Sequence, residues 1–298
     1  MEEFTFKSIT PLAEGAFGKV YLGRGLGGRD VALKVLPFSK KREEMADIWN
    51  EITIHSNLPH HENIIQMHSW FYDSINNSIR NICLVLEYAS GNSLYNLYKE
   101  KEKSSFTASE SAKYMKDVVN GLKCIHENNV IHRDMKMENL MLVGPDEKVK
   151  IGDFGFATNI NDHNNTLCGT DIYKSPEMVV LGQRYNEGVD IWAVGVLLYE
   201  FLSGTTPFGR NDEDEEVGWS SKYSTIIWPQ KGVLSANSLA RDLITNLLKE
   251  VPLDRISLAD VLTHNFLSGD DEDVNSMVDD DNSSTSMGRQ KDTEISES

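Results

Sequence analysis

The sequence predicts an α+β protein of two lobes, a small β-rich N-terminal lobe with one key helix and a larger helical C-terminal lobe. Three observations carry this. Residues Phe4 to Lys34 alternate apolar and polar positions around glycine-rich turns, the period of antiparallel strands. One amphipathic helix follows, roughly Lys41 to Leu58. Beyond a polar hinge at Ser90-Gly91-Asn92, helical periodicity recurs at Ser109 to Glu127 and an apolar run from Ile191 to Leu202 reads as a buried helix. A chain of 298 residues with 40% hydrophobic content can bury such a core. The lobes are placed at about 4–89 and 92–268, leaving 269–298 as a tail.

In chain order, the first turn is Leu12-Ala13-Glu14-Gly15-Ala16-Phe17-Gly18-Lys19-Val20. Its glycines let backbone N–H groups approach phosphate oxygens with no Cβ in the way. Alone, a two-glycine turn is also what a plain hairpin requires. Val31-Ala32-Leu33-Lys34 tips the reading, because a lysine in an apolar strand is costly to bury unless it meets opposite charge. Candidate partners lie on the next helix: Glu43 and Glu44 favour its N-terminal dipole, whereas Glu51 sits among Ile52, Ile54 and Leu58. Ser74-Ile75-Asn76-Asn77-Ser78 is a polar hairpin turn without chemistry, and Leu84 to Ala89 a buried strand ending in a polar turn.

The densest chemistry is His132-Arg133-Asp134-Met135-Lys136-Met137-Glu138-Asn139, followed 19 residues after Asp134 by Asp153-Phe154-Gly155. Phosphoryl transfer needs positioning and charge neutralisation more than covalent work. Asp134 can accept a hydroxyl proton, Lys136 can neutralise a moving phosphoryl group, and Asn139 with Asp153 offers the hard oxygens that Mg²⁺ prefers.

At these residues the sequence resembles the eukaryotic protein kinases, which implies the two-lobed protein kinase fold, ATP as phosphoryl donor and Mg²⁺ (or Mn²⁺) as cofactor. By this resemblance Lys34, paired with Glu51, holds the α- and β-phosphates under the 12–20 turn. Asp134 and Lys136 act on the substrate, Glu138 lines the nucleotide site, and Asn139 and Asp153 hold metal. Leu86 is the gatekeeper, the backbone of Glu87 and Ala89 meets the adenine edge, and Val20, Ala32 and Met141 enclose the base. Glu177 of Lys174-Ser175-Pro176-Glu177 pairs with Arg255. Lys136 and Thr170 imply serine/threonine specificity. Thr166 takes a regulatory phosphate, with about two charges, that Arg133 would clamp. Glu138 and Glu200 match positions that read an arginine two residues before the acceptor, while Ser93 replaces an acid that reads one position further upstream.

Among kinases the chain is most similar to the Aurora family over Phe4 to Leu267, notably at Leu86-Glu87-Tyr88-Ala89, Asn165 to Thr170, Tyr199 to Leu202 and Ala240 to Ile244. It departs at Ala13 (usually glycine), Met137 (usually proline), Phe156 (usually tryptophan), Ser175 (usually alanine) and Asp162-His163-Asn164-Asn165, where two arginines precede the phosphothreonine. Alternatives are a pseudokinase scaffold, a Polo-like or calcium/calmodulin-type kinase, and a small-molecule kinase. Intact Lys34, Asp134 and Asp153 speak against the scaffold, and the peptide platform against the small-molecule enzymes.

The acidic balance, 46 carboxylates against 29 Lys and Arg, disfavours nucleic acid and suits protein substrates with basic sequence before Ser or Thr. Ten acids and two bases fall in residues 269–298, which are expected to be disordered. Three scattered cysteines show no metal or disulfide spacing, and no signal peptide, myristoylation site or membrane span is evident. The setting expected is intracellular, cytoplasm or nucleus, at spindle or centrosome if the Aurora resemblance holds. The catalytic domain is expected to be monomeric, with an activating protein docking on the small lobe.

Overall fold

A computed structural model describes residues 5–8, 10–15, 18–75, 78–100, 105–162, 164–180, 183–208 and 225–269. The turn residues Ala16 and Phe17 and the expected acidic tail from 270 onward lie outside the described residues.

The small lobe is an antiparallel sheet. Its strands are β1 (Thr5–Phe6), β2 (Ala13–Gly15), β3 (Gly18–Arg24), β4 (Asp30–Pro37), β5 (Met67–Ile75) and β6 (Ser78–Glu87), ordered β1-β3-β4-β6-β5 with β2 on β3. Period-2 alternation decides the faces. In β4, Val31 and Leu33 pack with Val85 on one face, while Leu36 packs on the other with Ile52 of helix α1 (Arg42–Asn57). Lys34, two residues from Leu36, therefore faces α1. That helix buries Glu51, Ile52, Ile54 and His55, which puts Glu51 on the face turned to the sheet.

The chain crosses to the large lobe through 88–93. There Gly91 N–H donates to the Leu142 carbonyl at 3.0 Å and Leu142 N–H to that of Asn92 at 2.8 Å. The expected hinge thus already belongs to the large lobe at Gly91. Helices α2 (Leu94–Glu100), α3 (Ala108–Glu127), α4 (Pro176–Val179) and α5 (Gly188–Ser203) follow, then α6 (Val233–Ala236), α7 (Ser238–Leu247), α8 (Leu258–Thr263) and α9 (Asn265–Ser268). Helix α3 begins at a capping box in which Thr107 accepts from Glu110 N–H and the Glu110 side chain accepts from Thr107 N–H. Helix α5 is apolar almost all round because it runs through the core, with Trp192, Val194, Val196, Leu197 and Phe201 buried. Short ribbons β7 (Val130–Ile131) with β10 (Thr158–Asn159), and β8 (Leu140–Val143) with β9 (Lys148–Ile151), carry the polar loops at the lobe interface.

Candidate active site

Two clusters form the site. In the first, Lys34 Nζ lies 2.6 Å from Glu51 Oε1 and 2.8 Å from Asp153 Oδ1, so strand β4, helix α1 and the loop after β9 meet at one ammonium. Burial alone would lower the lysine's pKa, but the two facing carboxylates outweigh it and hold it above the usual range. Asp153 is held below the usual carboxylate range: burial opposes, and the charge and hydrogen bond of Lys34 prevail. Lys34 and Glu51 are buried, whereas the Asp153 side chain is 38% exposed and accessible to a ligand.

In the second cluster, Asp134 Oδ1 accepts from Thr170 Oγ1 (2.8 Å) and Thr170 N–H (3.1 Å). Its Oδ2 accepts from Asn139 Nδ2 (3.1 Å) and meets Lys136 Nζ at 2.7 Å. Lys136 also donates to Thr170 Oγ1 at 3.0 Å. Four donors thus fix one carboxylate whose plane, in a buried loop, is set before any substrate arrives. Gly169 makes the approach possible. Its φ is +78°, and a Cβ there would lie 2.4 Å from the Arg133 carbonyl.

The loop carrying Asp134 is anchored by a residue that no motif in the sequence singles out. Asp190, at the start of α5 and wholly buried, accepts from His132 N–H and Arg133 N–H (both 2.8 Å) and from His126 Nε2 (2.9 Å). Burial works against its charge, but the His126 and backbone donors hold its pKa down. A signal for it does exist: an acid one residue before the apolar run at Ile191 poses the same question as Lys34 does in β4. Arg133 (φ 68°) and Asp153 (φ 60°) sit in the left-handed region, which costs of order 1–3 kcal/mol each. His132 donates to the Gly152 carbonyl at 3.1 Å and packs edge-on to Phe154. His55, equally silent in the sequence, packs at a tilt against Phe154 with 4.4 Å between ring centroids.

An open cleft of about 710 Å³ lies between the β2–β3 hairpin and α1, lined by Val35, Asp47, Glu51 and Gly155 among others, and of the described nucleotide-site candidates Glu14, Gly15, Gly18 and Lys19 line it. Gly15 pairs with Gly18 at the tip of the β2–β3 hairpin, and a Cβ on Gly18 would lie 2.2 Å from the Val35 carbonyl. Leu12, Ala13 and Glu14 are exposed along it, with Glu14 pairing Lys19 at 3.0 Å. Val20 lies opposite Lys34 and Ala32 opposite Leu86 in the ladders. The Glu87 N–H donates to Gln66, so any contribution of its backbone to a ligand is through the carbonyl; its carboxylate pairs with Lys150 at 2.8 Å. Ala89 follows in the half-buried crossover, and Met141 bridges to Ser93 just beyond it.

Metal donors fit a hard cation. Asn139 spends its Nδ2 on Asp134, which leaves Oδ1; Asp153 spends Oδ1 on Lys34 and Gly155 N–H, and its Oδ2 has no protein hydrogen bond among the described residues. No cluster of three His, Cys, Asp or Glu suited to a metal occurs among the described residues, so an ion here would complete its shell with phosphate and water, as Mg²⁺ commonly does.

On the substrate side, Arg255 grips Glu177 bidentately at 2.6 and 2.8 Å, both buried. Glu200 accepts from Tyr173 Oη at 2.5 Å. Burial, with the repulsion of the nearby Glu138 carboxylate added, pushes Glu200 up to about 7. Glu138 itself is exposed, and the Ser93 hydroxyl, just before α2, accepts from Asn96 N–H in its first turn. Arg133 has no hydrogen bond to the exposed Thr166 side chain among the described residues. It donates to the Phe156 carbonyl (2.6 Å) and to Tyr185 Oη (3.0 Å), and only the Tyr185 hydroxyl reaches Thr166, at its carbonyl (2.7 Å).

Residues 6–267 match the protein kinase domain family. The chain is 39% identical over 268 residues to Aurora/IPL1-related protein kinase 2 of Caenorhabditis elegans, covering 89% of this chain and 83% of that protein. It is 38% identical to the Aurora kinase of Encephalitozoon cuniculi over 86% of this chain and 91% of that one, and 39% identical to Aurora kinase B of Mus musculus over 87% and 72%.

Proposed function

This chain belongs to the protein kinase family as an ATP-dependent serine/threonine kinase of Aurora type, and from that premise we propose that it is catalytically active on basic protein segments. The observation that carries the proposal is the joining of Lys34, Glu51 and Asp153 in one ion cluster, its Lys34–Glu51 pair buried, beside the four-donor cradle of Asp134. A pseudokinase has no need of either.

Asp134 takes the proton of the substrate hydroxyl as that oxygen bonds to the γ-phosphorus and the bond to the bridging oxygen breaks, releasing ADP. Lys136 stands 2.7 Å from Asp134 and offsets charge on the transferred group. Lys34 holds the α- and β-phosphates, and Glu51 holds Lys34. Asn139 and Asp153 would hold Mg²⁺, whose charge would offset that of the phosphates.

Glu138 and Glu200 provide carboxylates for an arginine two residues before the acceptor. Thr166 is the proposed regulatory phosphosite, its phosphate drawing Arg133 from Tyr185 and raising activity. An activating protein docks on the small lobe, where Trp49, Trp70 and Tyr72 form an edge-to-face cluster with Trp70 and Tyr72 exposed at its surface. The proposed setting is cytoplasm or nucleus. No described helix is long and apolar enough to cross a membrane.

Incubating the purified chain and its Asp134→Asn variant with MgATP and an arrayed peptide library tests activity, acceptor type and flanking preference together. Phosphate should enter serine and threonine peptides with arginine at the second position before the acceptor, and only with the parent protein. Equal incorporation by both proteins, or none by either, would refute the reading.

A further inference from the structure

The segment that leaves Asp153 is fastened to α1 by a neutral side chain, folded on itself by another, and joined to the large lobe by main-chain bonds and by Arg133 at the Phe156 carbonyl. Asn50, one residue before Glu51 on α1, donates from Nδ2 to the Ala157 carbonyl at 2.8 Å. Asn164, 3% exposed, accepts at Oδ1 from Thr158 Oγ1 (3.1 Å) and donates from Nδ2 to the Asn159 carbonyl (2.9 Å). Its own carbonyl accepts from Tyr185 N–H at 3.0 Å. The Ile160 N–H donates to the Asn129 carbonyl at 2.9 Å, and β10 pairs with β7 beside the Asp134 loop.

We propose that Asn50 and Asn164 are positioning residues that keep the activation segment docked when Thr166 carries no phosphate, so that the unphosphorylated chain already works at a substantial fraction of its full rate. The inference rests on the kinase reading above and concerns its regulation. Three parts must stay together for transfer: α1, the Asp134 loop and the segment. A phosphate joins them most strongly through cations, and among residues 162–165 Asp162, Asn164 and Asn165 supply none, which leaves His163 as the one side chain there able to take a positive charge. Here the joints are made without it. Asn50 couples the segment to the turn of α1 that carries Glu51, so one bond serves both the segment and the Lys34 pair. Asn164, buried and bonded through both side-chain heads and its main chain, closes the segment onto Thr158, Asn159 and Tyr185. Arg133 is already occupied by Phe156 and Tyr185, so a phosphate on Thr166 must displace existing bonds before it adds its own. Its net gain in rate is therefore held to about tenfold or less.

The test compares the full chain phosphorylated at Thr166, verified by mass spectrometry, with Thr166→Ala, each with and without Asn50→Asp or Asn164→Ala. Asn50→Asp keeps the shape and loses the donor to Ala157. Thr166→Ala should retain at least about a tenth of the phosphorylated rate on an arginine peptide, whereas adding Asn50→Asp should cut it a further tenfold or so, the effect expected of a hydrogen bond lost and a carbonyl stranded. The same asparagine change should cost the phosphorylated protein much less. A general structural defect would instead lower both forms equally, and that result, or a greater loss in Thr166→Ala alone, overturns the proposal. Amide exchange over 157–166 gives a readout independent of turnover: protection in Thr166→Ala that Asn164→Ala abolishes supports the proposal, and fast exchange in Thr166→Ala overturns it. If every form is inactive, the kinase reading and the rate claim fail together, while the exchange result still decides whether the asparagines dock the segment.

Discussion

Acidification should destabilise this protein through His55, and the size of the effect follows from its surroundings. The ring is 4% exposed, donates from Nε2 to the Ile65 carbonyl at 2.7 Å and lies against Phe154. A second proton on Nδ1 would be buried without water. Burial is the main reason the pKa falls from 6.5 to about 4; the Ile65 bond opposes it, Lys34 and His132 add repulsion, and Asp153 opposes. The folded value is depressed and the neutral ring favoured, so below pH 6.5 the unfolded chain binds a proton that the folded chain refuses. Stability is full above the unfolded pKa and is lost as pH falls from 6.5 toward 4, by about 3 kcal/mol once both values are passed. About 1.4 kcal/mol of this should be gone by pH 5.5, and the sequence pI of about 4.9 argues for stopping there. Urea unfolding of the parent chain and His55→Gln at pH 7.5 and 5.5 measures it, since glutamine can donate to Ile65 without titrating. The parent should lose more than the variant by roughly that amount. Parallel losses, within about 0.3 kcal/mol, would show that His55 is solvated or already charged in the folded protein.

Three other predictions concern the two ion clusters and the substrate platform. Lys34→Met and Asp153→Asn should each nearly abolish phosphoryl transfer and leave a cooperative thermal transition. Glu51, deprived of its cation, takes up a proton rather than remain charged in the interior, and activity within a few-fold of the parent in either variant would contradict the mechanism. Arg255→Ala strands the buried Glu177 carboxylate and should cost about 3–5 kcal/mol in denaturant unfolding, with a loss below about 1 kcal/mol counting against the pair as a structural clasp. Arginine peptides need Glu200 ionised, and it sits near 7. Their KM should therefore rise roughly tenfold from pH 8 to pH 6, while peptides lacking that arginine change little; an equal rise for both would remove Glu200 from substrate reading.

Short-range chemistry accounts for the parts of the fold and site that are legible in the sequence. The strand alternation through Lys34, the amphipathic helix with Glu51 and the apolar run of α5 are local patterns, and a strand, a helix and a helix form at these places. Lys34, Asp134, Asn139 and Asp153 stand out because each is a polar group of a particular kind in a setting where ordinary packing would not put it. The family resemblance adds pairs, such as Glu177 with Arg255, that no local pattern could join across 78 residues.

Tertiary contact alone decided which polar groups hold the site in shape. Asp190 is separated by 58 and 57 residues from the amides it anchors, and its hydrogen bonds hold the Arg133 backbone at a positive φ that no propensity would assign. Asn50 meets Ala157 across 107 residues, and His55 lies against Phe154 through the same closure of α1 on the large lobe. Asparagine, histidine and aspartate in such places read as ordinary helix or loop residues, because a sequence records the donor but not the carbonyl or amide waiting for it. A sequence determines which side chains can bear charge and which faces must be buried. Only the folded chain determines which carbonyl, amide or ring each polar group meets once water is excluded, and that pairing sets its pKa and its orientation at the site.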